Sequence, residues 1–312
     1  MLAGVTGASG FVGSALVRHL LQSGHRVRCL TRRQAVAGIP SEDLFQADLT
    51  MPAATLERFA DGLDVLYHCA GEMTTPARMH AVNVGGVRAL LDAAGGRIGR
   101  WVQLSSVGVY GPRTGGIVSE ETPLAPRGAY ESTKAEADLL VLDATARRQL
   151  SSYAIVRPSI VFGPGMPNGS LRQLIETIRR GLFFFIGPPG ASANYVHVSD
   201  VARALVLCGT AGAAHRRIYN VSDWCTVEDV AWAIADALGC PRPARRLPEA
   251  PVRWAVRAAS RIASLPLTDS RVDALVNRCR YSTERIEREL HYAARVRIPR
   301  GLADLVAARA AA

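Results

Sequence analysis

Lysine is almost missing from this chain. Of the 37 basic residues among its 312, Lys134 is the single lysine, and all the others are arginine. A bias of that strength would convert any lysine whose task is only to be positive. A lone survivor therefore marks a place where arginine cannot substitute. Arginine stays protonated and presents a broad planar fork, whereas lysine is a compact ammonium whose pKa responds to its surroundings. Long apolar runs are missing too: the densest patch, Leu182 to Ile186, is far short of the roughly 18 residues that span a bilayer, so no integral membrane contact is expected. The six cysteines form no CxxC pair. That excludes a zinc ribbon or disulfide framework, predicts no metal, and suits small buried thiols in a reducing cytoplasm. Met1 leads almost directly into a strand and a glycine loop, leaving no room for a cleaved signal peptide, and the expected location is cytoplasmic. Aromatic residues are only 6%, and they do not interleave with the arginines. The net charge of +10 follows the arginine bias, so no nucleic-acid partner is expected.

What is present is ordinary globular material, 48% apolar and 21% charged. Leu2–Val5, Arg26–Leu30, Val65–His68, Trp101–Ser105 and Tyr153–Arg157 read as short apolar strands. Between them Val12–Leu21, Val84–Ala94 and Ser132–Ala146 carry apolar residues at helical spacing. Alternation of this kind predicts an α/β fold, a Rossmann-like doubly wound parallel sheet with helices on both faces. After Arg157 the texture changes. Strong breakers at 162–165 and 187–190 bracket a helix (Leu171–Arg180) and the run Phe183–Phe185, and strands recur at Tyr195–Val198 and Ile218–Val221 with a helix (Ser199–Leu207) between. Residues 1–161, joined by a return at 196–222, are expected to form the cofactor domain. Residues 162–195 and 223–312 are expected to form a smaller substrate-binding lobe. Within it, 241–300 holds 14 arginines against 6 acids. Pro251 to Ala263 reads as a helix with Arg253, Arg257 and Arg261 in one stripe and Val252, Val256 and Ile262 on another face. Those arginines are expected mostly to sit in solvent.

Thr6-Gly7-Ala8-Ser9-Gly10-Phe11-Val12-Gly13 follows the first strand and opens the first helix. Gly7 permits the tight turn, Gly10 lets backbone approach a pyrophosphate, and Gly13 lets the helix pack on the strand. The helix N-terminus adds unpaired N–H groups and a positive dipole. Gly7, Ser9, Gly10, Phe11 and Val12 form the expected dinucleotide cradle. Where an NAD-binding strand ends in an acid for the ribose 2′-OH, this chain has Leu30-Thr31-Arg32-Arg33. Two guanidiniums in place of an acid favour a 2′-phosphate, hence NADP(H), with NAD as the lesser expectation. Further on, Asp48-Leu49 lies where an acid could accept from the adenine amino group.

Tyr130 and Lys134 stand one turn apart on one helix face. A free tyrosine titrates near 10, and a neighbouring ammonium favours the phenolate, bringing it toward the working range. Upstream, Ser105-Ser106 ends a strand, where a hydroxyl could hold a carbonyl oxygen beside the tyrosine.

Together these residues resemble the extended short-chain dehydrogenase/reductase family, also called the NAD-dependent epimerase/dehydratase family. The likeness runs through TGASGFVG at 6–13, His68-Cys69-Ala70-Gly71, Asn83-Val84, SSVGVYG at 105–111, YESTK at 130–134, RPSIVFGPG at 157–165 and YVHVSDVA at 195–202. The resemblance implies Ser106, Tyr130 and Lys134 as catalytic residues. It adds Ala70, Gly71, Pro158, Tyr130 and Lys134 to the cofactor contacts, and it leaves a homodimer open. Three departures narrow the chemistry. The dehydratases' Asp-Glu pair is Val107-Gly108 here, and Ile160 and Ala193 replace the asparagine and diphosphate-binding arginine of nucleotide-sugar epimerases. The leading expectation is NADP(H)-dependent reduction or oxidation of a nucleotide-linked keto sugar as small-molecule substrate. The alternatives are a nucleotide-sugar epimerase, a sterol- or flavonol-type carbonyl reductase suggested by Phe183–Phe185, and a non-catalytic NADP-sensing regulator.

Overall fold

The computed structural model describes residues 1–50, 53–167, 169–259 and 267–310. The first half alternates strand and helix: β1 (Leu2–Thr6), α1 (Phe11–Gln22), β2 (Arg26–Thr31), β3 (Leu44–Gln46), α2 (Ala53–Ala60) and β4 (Val65–His68). It continues with α3 (Pro76–His80), α4 (Gly86–Ala94), β5 (Arg100–Leu104), β6 (Gly115–Val118), α5 (Ala129–Ala146) and β7 (Tyr153–Pro158). Then come β8 (Ile160–Phe162), α6 (Gly169–Arg179), β9 (Phe185–Ile186), β10 (Ser192–His197), α7 (Val198–Thr210), β11 (Arg217–Val221) and β12 (Asp223–Thr226). The chain closes with α8 (Val227–Leu238), β13 (Arg246–Leu247), α9 (Glu249–Ala259), α10 (Asp269–Val276), β14 (Arg278–Tyr281), α11 (Glu284–Leu290) and α12 (Ile298–Ala310).

Seven strands build one parallel sheet in the order β11-β7-β5-β4-β1-β2-β3. The two-residue period of a strand sends alternate side chains to opposite faces. Tyr67 and Val102 go to one side, into a core with Leu16 and Leu20 of α1 and Val201 and Leu205 of α7. Leu66 and Trp101 go to the other, into a core with Leu56 and Phe59 of α2, Leu90 of α4 and Val141 of α5. Covering both faces is what a parallel sheet requires, because neither face alternates with polar residues. The expected doubly wound sheet is therefore present. Its order reverses between β1 and β4, so the crevice for a ligand opens at their carboxyl ends.

β10 does not join that sheet. It pairs in parallel with β8 and antiparallel with β12 in a separate three-stranded sheet, over a core of Ile178, Phe183, Phe185, Ile234 and Leu302. Of the returning stretch, β11 pairs with the large sheet, and α7, with Val196 of β10, packs into the core on its face. A second difference lies at 76–94, where one helix from Val84 was expected. The chain instead runs from α3 through a π-helical turn (Ala81–Gly85) into α4. Such a turn inserts a residue into the helical ladder and re-aims a side chain, here the buried Asn83. The helix expected over Pro251 to Ala263 is present as far as Ala259, and the rest of that stretch, with Arg261 and Ile262, lies outside the described residues.

Candidate active site

The loop after β1 is held open by glycine. Gly7 has φ +66°, and a Cβ there would sit 2.7 Å from the Ala70 backbone; one on Gly13 would sit 2.1 Å from the Gly7 carbonyl oxygen. These contacts bring α1 down onto the carboxyl ends of β1 and β4. Gly10 caps α1 with no side-chain hydrogen bond, so the first N–H groups of the helix face the crevice. A cavity of about 180 Å³ results, lined by Gly7, Ser9, Gly10, Arg32, Asp48, Leu49, Ala70 and Gly71. The uncapped helix end and a loop that no Cβ fits suit a dinucleotide's pyrophosphate.

Not every expected contact lines that cavity. Phe11 borders an adjoining groove with Pro164 and His197, and neither Val12 nor Pro158 is among the residues facing either space. Arg33 is also off the cavity wall, its backbone N–H bonded to Thr31 Oγ1 at 3.3 Å. In its place stands Arg78 of α3, which sequence reasoning missed because no local spacing ties position 78 to position 48.

At the other end, α5 carries Tyr130 and Lys134. Lys134 is buried and its Nζ donates to the Leu104 carbonyl at the end of β5. The two serines after β5 face different partners. Ser105 is buried and donates to Asp138 Oδ2 at 2.8 Å, while Ser106 Oγ accepts from the Gly108 N–H at 3.0 Å at the start of a 3₁₀ turn. Asp138, one turn beyond Lys134, also takes Nε and Nη2 of the buried Arg157 at 3.2 and 3.1 Å. From Arg157 the chain of bonds runs on, through Tyr110 at 3.0 Å to Asn220 at 2.8 Å. Asn83 ties α5 to the neighbouring loop by donating to Thr133 Oγ1 and the Glu72 carbonyl, both at 3.0 Å.

Burial sets the charges here. It lowers the Lys134 ammonium, and the Asp138 carboxylate pulls it part of the way back. It raises Asp138, against which Arg157 and Lys134 act. The Tyr130 phenol was expected to fall. Burial instead pushes it up to about 12, with the Glu131 and Asp138 carboxylates adding in the same direction. At neutral pH the phenol is thus protonated, the form that gives a proton to a carbonyl oxygen.

The separate lobe holds a larger cleft of about 570 Å³ between α6, residues 182–186 and α10. Its walls are mainly Leu174, Leu182, Phe183, Phe184, Ile186 and Leu275, with Arg172 and Arg271 also lining it. Ala193 is buried in the lobe core, and Ile160 is about half exposed, at 49%, just past the end of β7. Arg253 does not stand free in solvent: it bonds Glu249 at 2.7 Å and Asp273 at 2.8 Å, strapping α9 to α10.

The family model described as NAD dependent epimerase/dehydratase matches residues 3–222. The 4-hydroxy-2-methyl-3-oxo-4-farnesyl-3,4-dihydroquinoline-1-oxide ketoreductase of Stigmatella aurantiaca is 28% identical over 321 residues, 96% of this chain and 93% of that protein. The 3 beta-hydroxysteroid dehydrogenase/Delta 5-->4-isomerase of Mycobacterium tuberculosis is 30% identical over 281 residues, covering 83% of this chain and 75% of the relative. Among solved structures, MoeE5 in complex with UDP-glucose and NAD has a TM-score of 0.76 at 25% identity and covers 100% of both chains.

Proposed function

This chain belongs to the NAD-dependent epimerase/dehydratase family, and on that premise we propose that it is an NADP(H)-dependent oxidoreductase interconverting a carbonyl and a secondary alcohol on a largely apolar substrate. When bound, the nicotinamide supplies or takes the hydride. Tyr130 gives its hydroxyl proton to the carbonyl oxygen, so hydride and proton together make the alcohol. Ser106, whose Oγ remains free to donate, orients that oxygen. Lys134 holds the nicotinamide ribose, and as a compact ammonium it fits a place too narrow for a guanidinium. The six cysteines are all unpaired, which suits work in the reducing cytoplasm.

The observation that carries the substrate half of this reading is the apolar cleft of the lobe. Its leucine and phenylalanine walls suit a hydrocarbon or polycyclic body, and the buried Ala193 offers no diphosphate grip. A steroid and a farnesylated quinoline in the names of two relatives point the same way. Arg172 and Arg271 at the cleft, with the MoeE5 likeness, favour a second reading, the nucleotide-linked keto sugar. The test is NADPH consumption with a 3-ketosteroid, a long-chain 3-oxo acid and a UDP-4-keto sugar. Turnover of either apolar ketone with stoichiometric NADPH loss is expected. Turnover of the keto sugar alone would select the second reading, and isomerisation of UDP-glucose without net cofactor change would remove both.

A further inference from the structure

Arg78 reaches the cofactor cavity from an element that ordinary strand-end reasoning does not consider. It sits on α3, a single helical turn after the β4 loop. The Glu72 carboxylate fixes that turn: its Oε1 accepts from the N–H groups of Met73, Thr74 and Thr75 at 3.1, 2.9 and 3.2 Å, and from Thr74 Oγ1 at 2.8 Å. Those bonds hold Glu72 down to about 2, well below an ordinary carboxyl, so the anchor is ionised at any working pH. Glu72 is placed in turn by Asn83, whose Oδ1 accepts the Glu72 N–H at 2.7 Å.

Among the described residues, the acid nearest this guanidinium is Asp48, and only at long range. Arg78 Nη2 lies 3.8 Å from Asp48 Oδ2, and Arg32 Nη1 lies 3.9 Å from the same oxygen. The other Asp48 oxygen is occupied by the N–H and hydroxyl of Thr50, both at 3.1 Å. Two cations from two different elements therefore converge on one oxygen at long range, across the mouth of an open cavity. A phosphate between them would take both guanidiniums to hydrogen-bonding distance, which Asp48 at this range does not. Arg33, the sequence's candidate for this task, is not on the cavity wall.

We infer that Arg78, with Arg32 and not with Arg33, binds the 2′-phosphate of the dinucleotide, so that cofactor choice is set jointly by the end of β2 and by α3. This inference rests on the NADP(H) reading above. Calorimetric titration of the full chain with 2′,5′-ADP and with 5′-ADP isolates the phosphate without any turnover. Arg78→Ala and Arg32→Ala should each weaken 2′,5′-ADP at least tenfold and 5′-ADP less than threefold, whereas Arg33→Ala should change neither by more than threefold. Arg78→Lys should recover part of the loss, since a point charge replaces some of a phosphate contact. Equal weakening of both ligands by Arg78→Ala would assign Arg78 to the adenine and overturn the inference, as would an Arg33→Ala loss matching that of Arg78→Ala. If the wild type binds the two ligands equally, the NADP(H) reading fails and this inference with it. If the wild type and Arg32→Ala behave as stated and Arg78→Ala does not, the inference alone falls.

Discussion

Both ends of the crevice use two cations around one carboxylate, and they use them for opposite purposes. At the Tyr130 end Lys134 and Arg157 flank Asp138, all three buried, with the Arg157 bonds at 3.1 and 3.2 Å. At the end beside the glycine loop Arg32 and Arg78 flank Asp48 at 3.9 and 3.8 Å, with the arginine side chains 69% and 50% exposed. Out of water, an unpaired charge costs several kcal/mol, so the inner cluster must close on itself. In water the same composition is nearly free to stand open, and an open cationic pair is a binding site for an anion. Burial, more than residue type, separates an anchor from a receptor.

The largest effect should come from removing each carboxylate. Asp138→Ala leaves the buried Arg157 without its carboxylate and should cost about 3 to 5 kcal/mol of stability. Asp48→Ala should cost less than about 1 kcal/mol, because its pairs are long and exposed. Urea unfolding of the two variants measures this directly. Similar losses at both positions would mean that burial does not distinguish the clusters.

Next comes the lysine itself. Lys134→Arg keeps the charge but brings a wide fork into a buried slot beside the Leu104 carbonyl. Turnover should fall on the order of a hundredfold, the scale at which a misplaced acid–base group matters. An arginine variant as active as wild type would show that the lone lysine is an accident of composition.

How much of this could be read in advance follows from the distances along the chain. The glycine turn at 7–13 and the Tyr130–Lys134 pair are local, fixed by a few residues of one element, and the sequence shows them. So does the doubly wound sheet, since strand and helix periods are local too. The inner cluster is not local: Arg157 meets Asp138 across 19 residues, Tyr110 across 47, and Tyr110 meets Asn220 across 110. Nothing in a linear pattern announces those meetings. The same holds for Arg78, on a helical turn held by the Glu72 carboxylate and 30 residues from Asp48, and for the lobe cleft, whose walls come from α6 and α10. The phenol's direction was misjudged for a related reason. One favourable neighbour in sequence was weighed, and the desolvation imposed by the fold was not.

A third cluster tests the rule between the extremes. Arg253 is tied to Glu249 and Asp273 and is 23% exposed. It should behave as a strap, so Arg253→Ala should destabilise by about 1 kcal/mol and change substrate KM less than threefold. A tenfold rise in KM at unchanged melting would make it a substrate grip instead.

The smallest effect separates charge from burial at Tyr130. Burial is the largest cause that takes this phenol to about 12, the Glu131 carboxylate the next, and Asp138 the last. Alcohol oxidation needs the phenolate as base, so its rate should climb along an alkaline limb that reports this group, while carbonyl reduction uses the phenol and declines there. Removing a negative neighbour favours the phenolate, so Glu131→Gln must move the limb to lower pH. The neighbour is half-buried and water screens it, so the displacement should be less than about one pH unit. Glu136, which faces His80 at 3.4 Å, is not among the charges acting on the phenol, and Glu136→Gln should leave the limb in place. Oxidation rates at saturating NADP⁺ across the alkaline range decide the matter. A limb that Glu131→Gln leaves still, or moves upward, would show that desolvation alone governs the phenol. A shift in both variants would show that the outer carboxylates act on Tyr130 as a field, with no preference for the nearer one.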